Sequence, residues 1–184
     1  MWIYIAIGAV VLLYFIAVFN GLISRRNHVR EAWATVETQL KRRHDLIPNL
    51  VNAVKGATKH ESKTLDAVIK ARNAARGNHD AAEASGLENN LSKTLGAINV
   101  LVEQYPSLRA NENFLNLQSE LADTENKIQA TRQFYNTTVM GLNTAVEQFP
   151  SNIVARIFGV GKEKSFELDE AERAATKKAP KVEF

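Results

Sequence analysis

The sequence has no cysteine, which excludes disulfide frameworks, CxxC redox motifs, zinc ribbons, thiolate-held iron–sulfur clusters, a thiol nucleophile and a lipoprotein anchor. With only 4 prolines and 9 glycines in 184 residues, a turn-rich all-β fold is disfavoured. That length leaves room for one ordinary domain or two small ones, and excludes a large multidomain enzyme. Neither sign of charge dominates: 23 basic residues face 20 acidic ones. So no nucleic-acid partner is expected, despite a sequence pI of 9.2. The most informative absence is local, because residues 1–24 hold no Asp, Glu, Lys or Arg and every charged side chain follows Ser24.

What fills that segment is WIYIAIGAVVLLYFIAVF, followed by Asn20, Gly21, Leu22 and Ile23. Coiled as a helix, Trp2 to Ile23 spans about 33 Å, enough to cross a bilayer core of about 30 Å. Trp2 and Tyr4 supply interfacial rings at one end, Leu12, Phe15 and Phe19 continue the apolar face, and Arg25, Arg26 and Arg30 crowd the other end. No basic stretch precedes the run and no small-x-small site follows it, so a membrane anchor is expected rather than a cleaved leader. Positive charge favours the cytoplasmic side. The expected placement is therefore single-pass, amino terminus outside and the remainder in the cytoplasm.

Beyond Ser24 the apolar residues recur at helical spacing. Val29, Trp33, Val36, Leu40, Ile47, Leu50, Val54, Ala57, Val68, Ala71 and Ala75 occupy two heptad positions. Pro48 interrupts the stretch, but the register is the same on both sides. That predicts one helix over about 25–76 kinked at Pro48, with a break at Asp45 as the alternative. Phe114, Leu121, Ile128, Tyr135, Leu142 and Phe149 recur every seven residues and predict a helix over 109–149. Leu87, Leu91, Leu95, Ile98, Leu101, Val102 and Tyr105 predict a shorter helix between the polar GNHDAAEASG stretch and Pro106. SNIVARIFGV is apolar on one side and is expected to dock on the bundle rather than on lipid. The expectation is an all-α chain: an anchor (1–24), an elongated antiparallel up-and-down bundle of long helices (25–158) and a flexible charged tail (159–184).

Chemistry-bearing motifs are scarce. His60-Glu61 starts like the HExxH helix of zinc proteases, but Thr64 stands where the second histidine belongs. His28, His44 and His60 are sixteen apart, so each ring is turned about 160° from the last and the three cannot share a metal. No nucleophile elbow, Walker loop or GxGxxG is present. No catalytic residue, cofactor or metal is therefore expected. The KRRH run at 41–44 reads as a solvated or intra-bundle basic patch. Arg43, Glu61 and Thr64 interrupt the first stripe, and Thr124, Glu125, Thr131 and Arg132 flank the last, so pairs such as Arg43–Glu125 and Glu61–Arg132 are expected to fix helix register.

The strings QLKRRHDLIPNLV and ELADTENKIQATRQFYN, with the later FPSNIVARIFGV, give the chain a resemblance to the LemA family of bacterial membrane proteins. The resemblance implies one amino-terminal transmembrane helix, a cytoplasmic helical bundle and a general link to the cell envelope, with relatives among magnetosome proteins. It carries no catalytic residues. Its characteristic positions fall here on Arg42, Arg43, Asp45, Pro48, Asn49, Lys55, Glu61, Arg72, Glu125, Asn126, Arg132, Tyr135 and Asn136. Together these readings point to a non-enzymatic membrane-anchored scaffold whose partners are membrane lipid, further copies of itself and other inner-membrane proteins. The competing reading is a regulator or adaptor of a membrane protein or protease in envelope stress.

Overall fold

The computed structural model describes residues 1–57 and 62–166. Among them the chain is all-helical: α1 (Trp2–Ala57), α2 (Ser62–Ala75), α3 (Ala81–Glu103), α4 (Pro106–Arg109), α5 (Glu112–Glu147) and α6 (Ser151–Ile157). They form two compact units, one of Met1–Val36 with Ala130–Ser165 and the other of Glu37–Gln129 with Phe166.

The second unit is built like a four-helix bundle. Its core joins Ile47, Val51 and Val54 of α1 to Leu65 and Val68 of α2, Leu91 and Ile98 of α3, and Phe114 of α5. Each such side chain, fully buried, stabilises the unit by about 1.5–3 kcal/mol. Polar contacts give the helix directions. Arg72 of α2 reaches back to His44, Arg43 meets both Glu88 of α3 and Glu125 of α5, and Gln118 meets Asn99. These pairings require α1, α2, α3 and α5 to run alternately up and down.

This corrects the expected first helix. α1 passes through Pro48 without a break at Asp45 and ends at Ala57, and α2 is its antiparallel partner rather than its continuation. Heptad periodicity cannot separate the two cases, because both arms of a hairpin keep their apolar stripes toward one core. The available signal is the run Thr58–Thr64, which has no apolar residue. Two further boundaries shift. α3 starts inside the stretch taken as a polar connection, because Asp80 caps it: its Oδ1 accepts from the backbone N–H groups of Ala82 (3.0 Å) and Glu83 (2.9 Å). α5 starts at Glu112, where Asn111 Oδ1 accepts from Phe114 N at 3.1 Å, and ends at Glu147. Phe149 therefore leaves the helical register and is exposed instead of joining the stripe.

In the first unit, α1 and α5 run antiparallel, with Trp33 against Tyr135 (ring centroids 5.2 Å apart) and Arg25 Nη1 at 3.5 Å from the Gly141 carbonyl. Val29, Ala32, Val139, Leu142, Val154 and Val160 are buried there. Met1 to Tyr14 are exposed, and α1 is, among the described residues, the helix long and apolar enough to cross a membrane. Of the segment expected to be a tail, residues 161–166 are non-helical but held. Asn143 exchanges two 2.9 Å hydrogen bonds with the Glu163 backbone, and the Tyr135 hydroxyl donates to the Lys164 carbonyl at 2.8 Å. The rest of the tail, 167–184, lies outside the described residues.

Candidate functional site

The KRRH run places successive residues around α1, so two of its four side chains turn inward. Arg43 and His44 are buried, whereas Lys41 and Arg42 are exposed. Across from them Glu88 projects from α3 and is equally buried. Its Oε2 accepts from Arg43 Nη1 at 3.2 Å and its Oε1 lies 2.6 Å from His44 Nε2, the imidazole donating because an ionised carboxylate can only accept. Arg43 also donates through Nη2 to Ser92 Oγ at 2.6 Å and pairs with Glu125 Oε2 at 3.3 Å. One guanidinium thereby joins three helices.

A second element depends on Pro48. Proline has no N–H, so the His44 carbonyl one turn earlier loses its partner within the helix. Arg72 Nε donates to that carbonyl at 3.0 Å. The polar gap that proline opens in α1 is thus filled by α2, and the residue that supplies the carbonyl also bonds Glu88 through its ring. At the rim, Arg42 faces Asp123 at 3.7 Å. The 2.7 Å hydrogen bond from Lys127 holds the Asp123 carboxyl below its ordinary pKa, with the charges of Lys127 and Arg42 adding to the effect.

Beside the cluster opens a cavity of about 430 Å³ lined by Arg43, Leu50, Leu95, Phe114, Leu121 and Glu125, among others. Its charged lining is the buried Arg43 guanidinium, paired with Glu88 and Glu125, and the half-exposed Glu125 carboxylate over an apolar floor. The arrangement can hold charge and fix helix register. Among the described residues, no group of three His, Asp or Glu side chains is placed to hold a metal.

The structure gathers part of the expected set. Arg42, Arg43, Arg72 and Glu125 meet in the second unit around the Pro48 turn. Arg132, Tyr135 and Asn136 lie in the first unit, Tyr135 buried and the other two half-buried. Asp45, Asn49, Lys55 and Asn126 are exposed. Glu61, and with it the Glu61–Arg132 pair, falls outside the described residues. Thr124 is fully buried but satisfied, its hydroxyl donating to the Glu120 carbonyl at 2.8 Å. In the apolar segment Trp2, Tyr4 and Leu12 are exposed, Phe15 and Phe19 partly covered, Arg25 exposed and Arg26 half-buried. Sequence reasoning missed Glu88 and His44. Glu88 shares the helical stripe of Ala81, Ala84 and Leu91, and it becomes visible once Asp80 is recognised as a cap.

The LemA family profile matches residues 32–184, which includes every residue of this cluster. The chain belongs to the LemA family. The LemA-family chain is 27% identical over 156 residues to Protein LemA of Metamycoplasma hominis, covering 84% of this chain and 71% of that one. It is 27% identical over 74 residues to Magnetosome protein MamQ of Magnetospirillum gryphiswaldense, covering 40% of this chain and 27% of that protein. Over 82 residues it is 26% identical to Magnetosome protein MamQ 2 of Paramagnetospirillum magneticum, covering 45% and 30%. The chain spans less than a third of the length of these magnetosome proteins. A family of this kind, with a candidate membrane helix, is a membrane-associated one, and none of these names describes an enzyme.

Proposed function

We propose that this LemA-family chain is a non-enzymatic scaffold of the bacterial cell envelope, anchored by α1 with its amino terminus outside the inner membrane and its helical units in the cytoplasm. The observation that carries this reading is the unbroken run of α1 from Trp2 to Ala57. One helix exposes an uncharged surface long enough to cross lipid and then buries its apolar stripe in a protein core, so anchor and bundle are a single element. Self-association, recruitment of other inner-membrane proteins and organisation of membrane are the uses that such a surface offers. The magnetosome proteins among its relatives support the last of these.

Fractionation and protease protection test the placement. The full chain is expected in the membrane pellet, with its carboxyl-terminal part protected from protease added to spheroplasts. Digestion of that part refutes the orientation. Light scattering of detergent-extracted protein is expected to report an oligomer; a monomer without cross-linked partners refutes self-association and recruitment. The buried Arg43–His44–Glu88 cluster favours a second reading, an adaptor that answers a signal for a membrane protease. Unchanged turnover of that protease's substrates in a deletion strain excludes it.

A further inference from the structure

α6 has two apolar faces. Val154 and Ala155 are buried on the rest of the first unit, as sequence periodicity requires of a docked helix. On the other side Ile153 (45% exposed) and Ile157 (64%) stand one turn apart, with Phe149 (75%) and Phe158 (55%) flanking them. Four large apolar side chains left exposed within ten residues of chain mark a segment suited to something other than water.

Its position identifies the occupant. Phe158 packs on Phe19 of α1 with ring centroids 4.4 Å apart. Phe19 lies inside the uncharged run, six residues and about 9 Å before Arg25. Around this depth α1 stops being bare: Phe15, Val18, Phe19 and Ile23 are partly covered and Leu22 is buried. The antiparallel register set by Trp33–Tyr135 and Arg25–Gly141 brings the end of α5 to the same level. Exposed basic side chains lie on the charged side of this level, Arg25 and Arg30 on α1 and Arg156 on α6, while Glu147 at the end of α5 is paired with Lys162. Apolar side chains pointing outward beside exposed cations, at the end of a membrane-crossing run, are the features of a segment lying in the plane of the headgroups.

We propose that α6 with Phe149 and Phe158 is a second membrane contact, seated in the headgroup layer of the leaflet that receives the end of the α1 anchor. The proposal rests on the reading of α1 as an anchor. It implies that the bilayer holds the first unit at two points, fixing its rotation about α1 as well as its distance from the surface.

The absence of native cysteine permits a direct test. Full-length single-site variants Ile153→Cys, Ile157→Cys, Leu12→Cys and Asn116→Cys carry a nitroxide in vesicles of phosphatidylethanolamine and phosphatidylglycerol. Collisions with oxygen and with a water-soluble nickel chelate then report depth. The expected result is an oxygen-to-nickel ratio several-fold higher at 153 and 157 than at 116, and highest at 12. If 153 and 157 match 116 while 12 remains lipid-like, the second contact is overturned and the anchor stands. If 12 also matches 116, the anchor reading itself fails. Protection of 153 and 157 from both reagents means that protein covers them, a second copy for example, and this also overturns the proposal. All four side chains are exposed, and an unchanged far-ultraviolet circular dichroism spectrum verifies the fold.

Discussion

The two compact units solve the same packing problem with different interiors. The second buries an arginine, a histidine and a glutamate among its leucines and valines, whereas the first relies on ring packing and on backbone bonds to residues 163–164. Buried charge is directional: Arg43 meets Glu88 and Glu125 only in one register, while an apolar stripe tolerates slippage by a heptad. The first unit leaves the apolar start of α1 exposed from Met1 to Tyr14, together with Phe149, Ile153, Ile157 and Phe158. Specificity of helix pairing is thus concentrated in one unit and most of the exposed apolar surface in the other.

The strongest way to break this contrast is Glu88→Ala, which leaves Arg43 and His44 buried without their shared acceptor. A loss of about 3–5 kcal/mol is expected. Hydrogen exchange should show it as faster exchange of amides in the second unit, with those around Trp33 and Tyr135 much less affected. The combined Arg43→Met, His44→Leu, Glu88→Leu variant should recover most of the stability while admitting alternative registers, detected by cross-linking at engineered cysteines.

A smaller effect sharpens the role of proline. Arg72→Met should cost about 1.5–3 kcal/mol by stranding the His44 carbonyl. In a Pro48→Ala background, where the backbone N–H is restored, the same substitution should cost at least about 1 kcal/mol less. Chemical denaturation of the four members of this cycle measures the coupling, and its absence would detach Arg72 from the proline. The smallest effect belongs to the first unit. Tyr135→Phe keeps the ring against Trp33 but removes the bond to Lys164, costing about 1 kcal/mol. Limited proteolysis should then cut within 160–166 more readily, without loss of the Trp33 contact.

Much of the fold can be read from residue spacing. Val36, Ile47, Val54, Val68, Ile128 and Leu142 sit where the heptads put them, all buried, and Arg43 meets Glu125 as the stripe suggested. The hairpin of α1 and α2 could not be read in this way, since a reversal preserves the stripe. Glu88 was hidden because its helix begins in polar residues, and composition resembles a linker there until Asp80 is treated as a cap. His44 was weighed as one of three metal ligands and dismissed, although as a single buried donor it needed only one carboxylate. The hold on residues 163–164 is a tertiary effect: nothing local in KEKSF indicates that Asn143 and Tyr135 wait for its backbone.

The Arg72–His44 bond also sets an order of events during synthesis. A nascent polypeptide that has emerged from the ribosome only as far as residue 71 carries, one turn before Pro48, a carbonyl that only water can satisfy. The lower part of its first helix is therefore hydrated and weak at that point, and becomes dry and continuous when the returning arm arrives. Translation stalled before that arm is complete should leave this turn the earliest target of added protease.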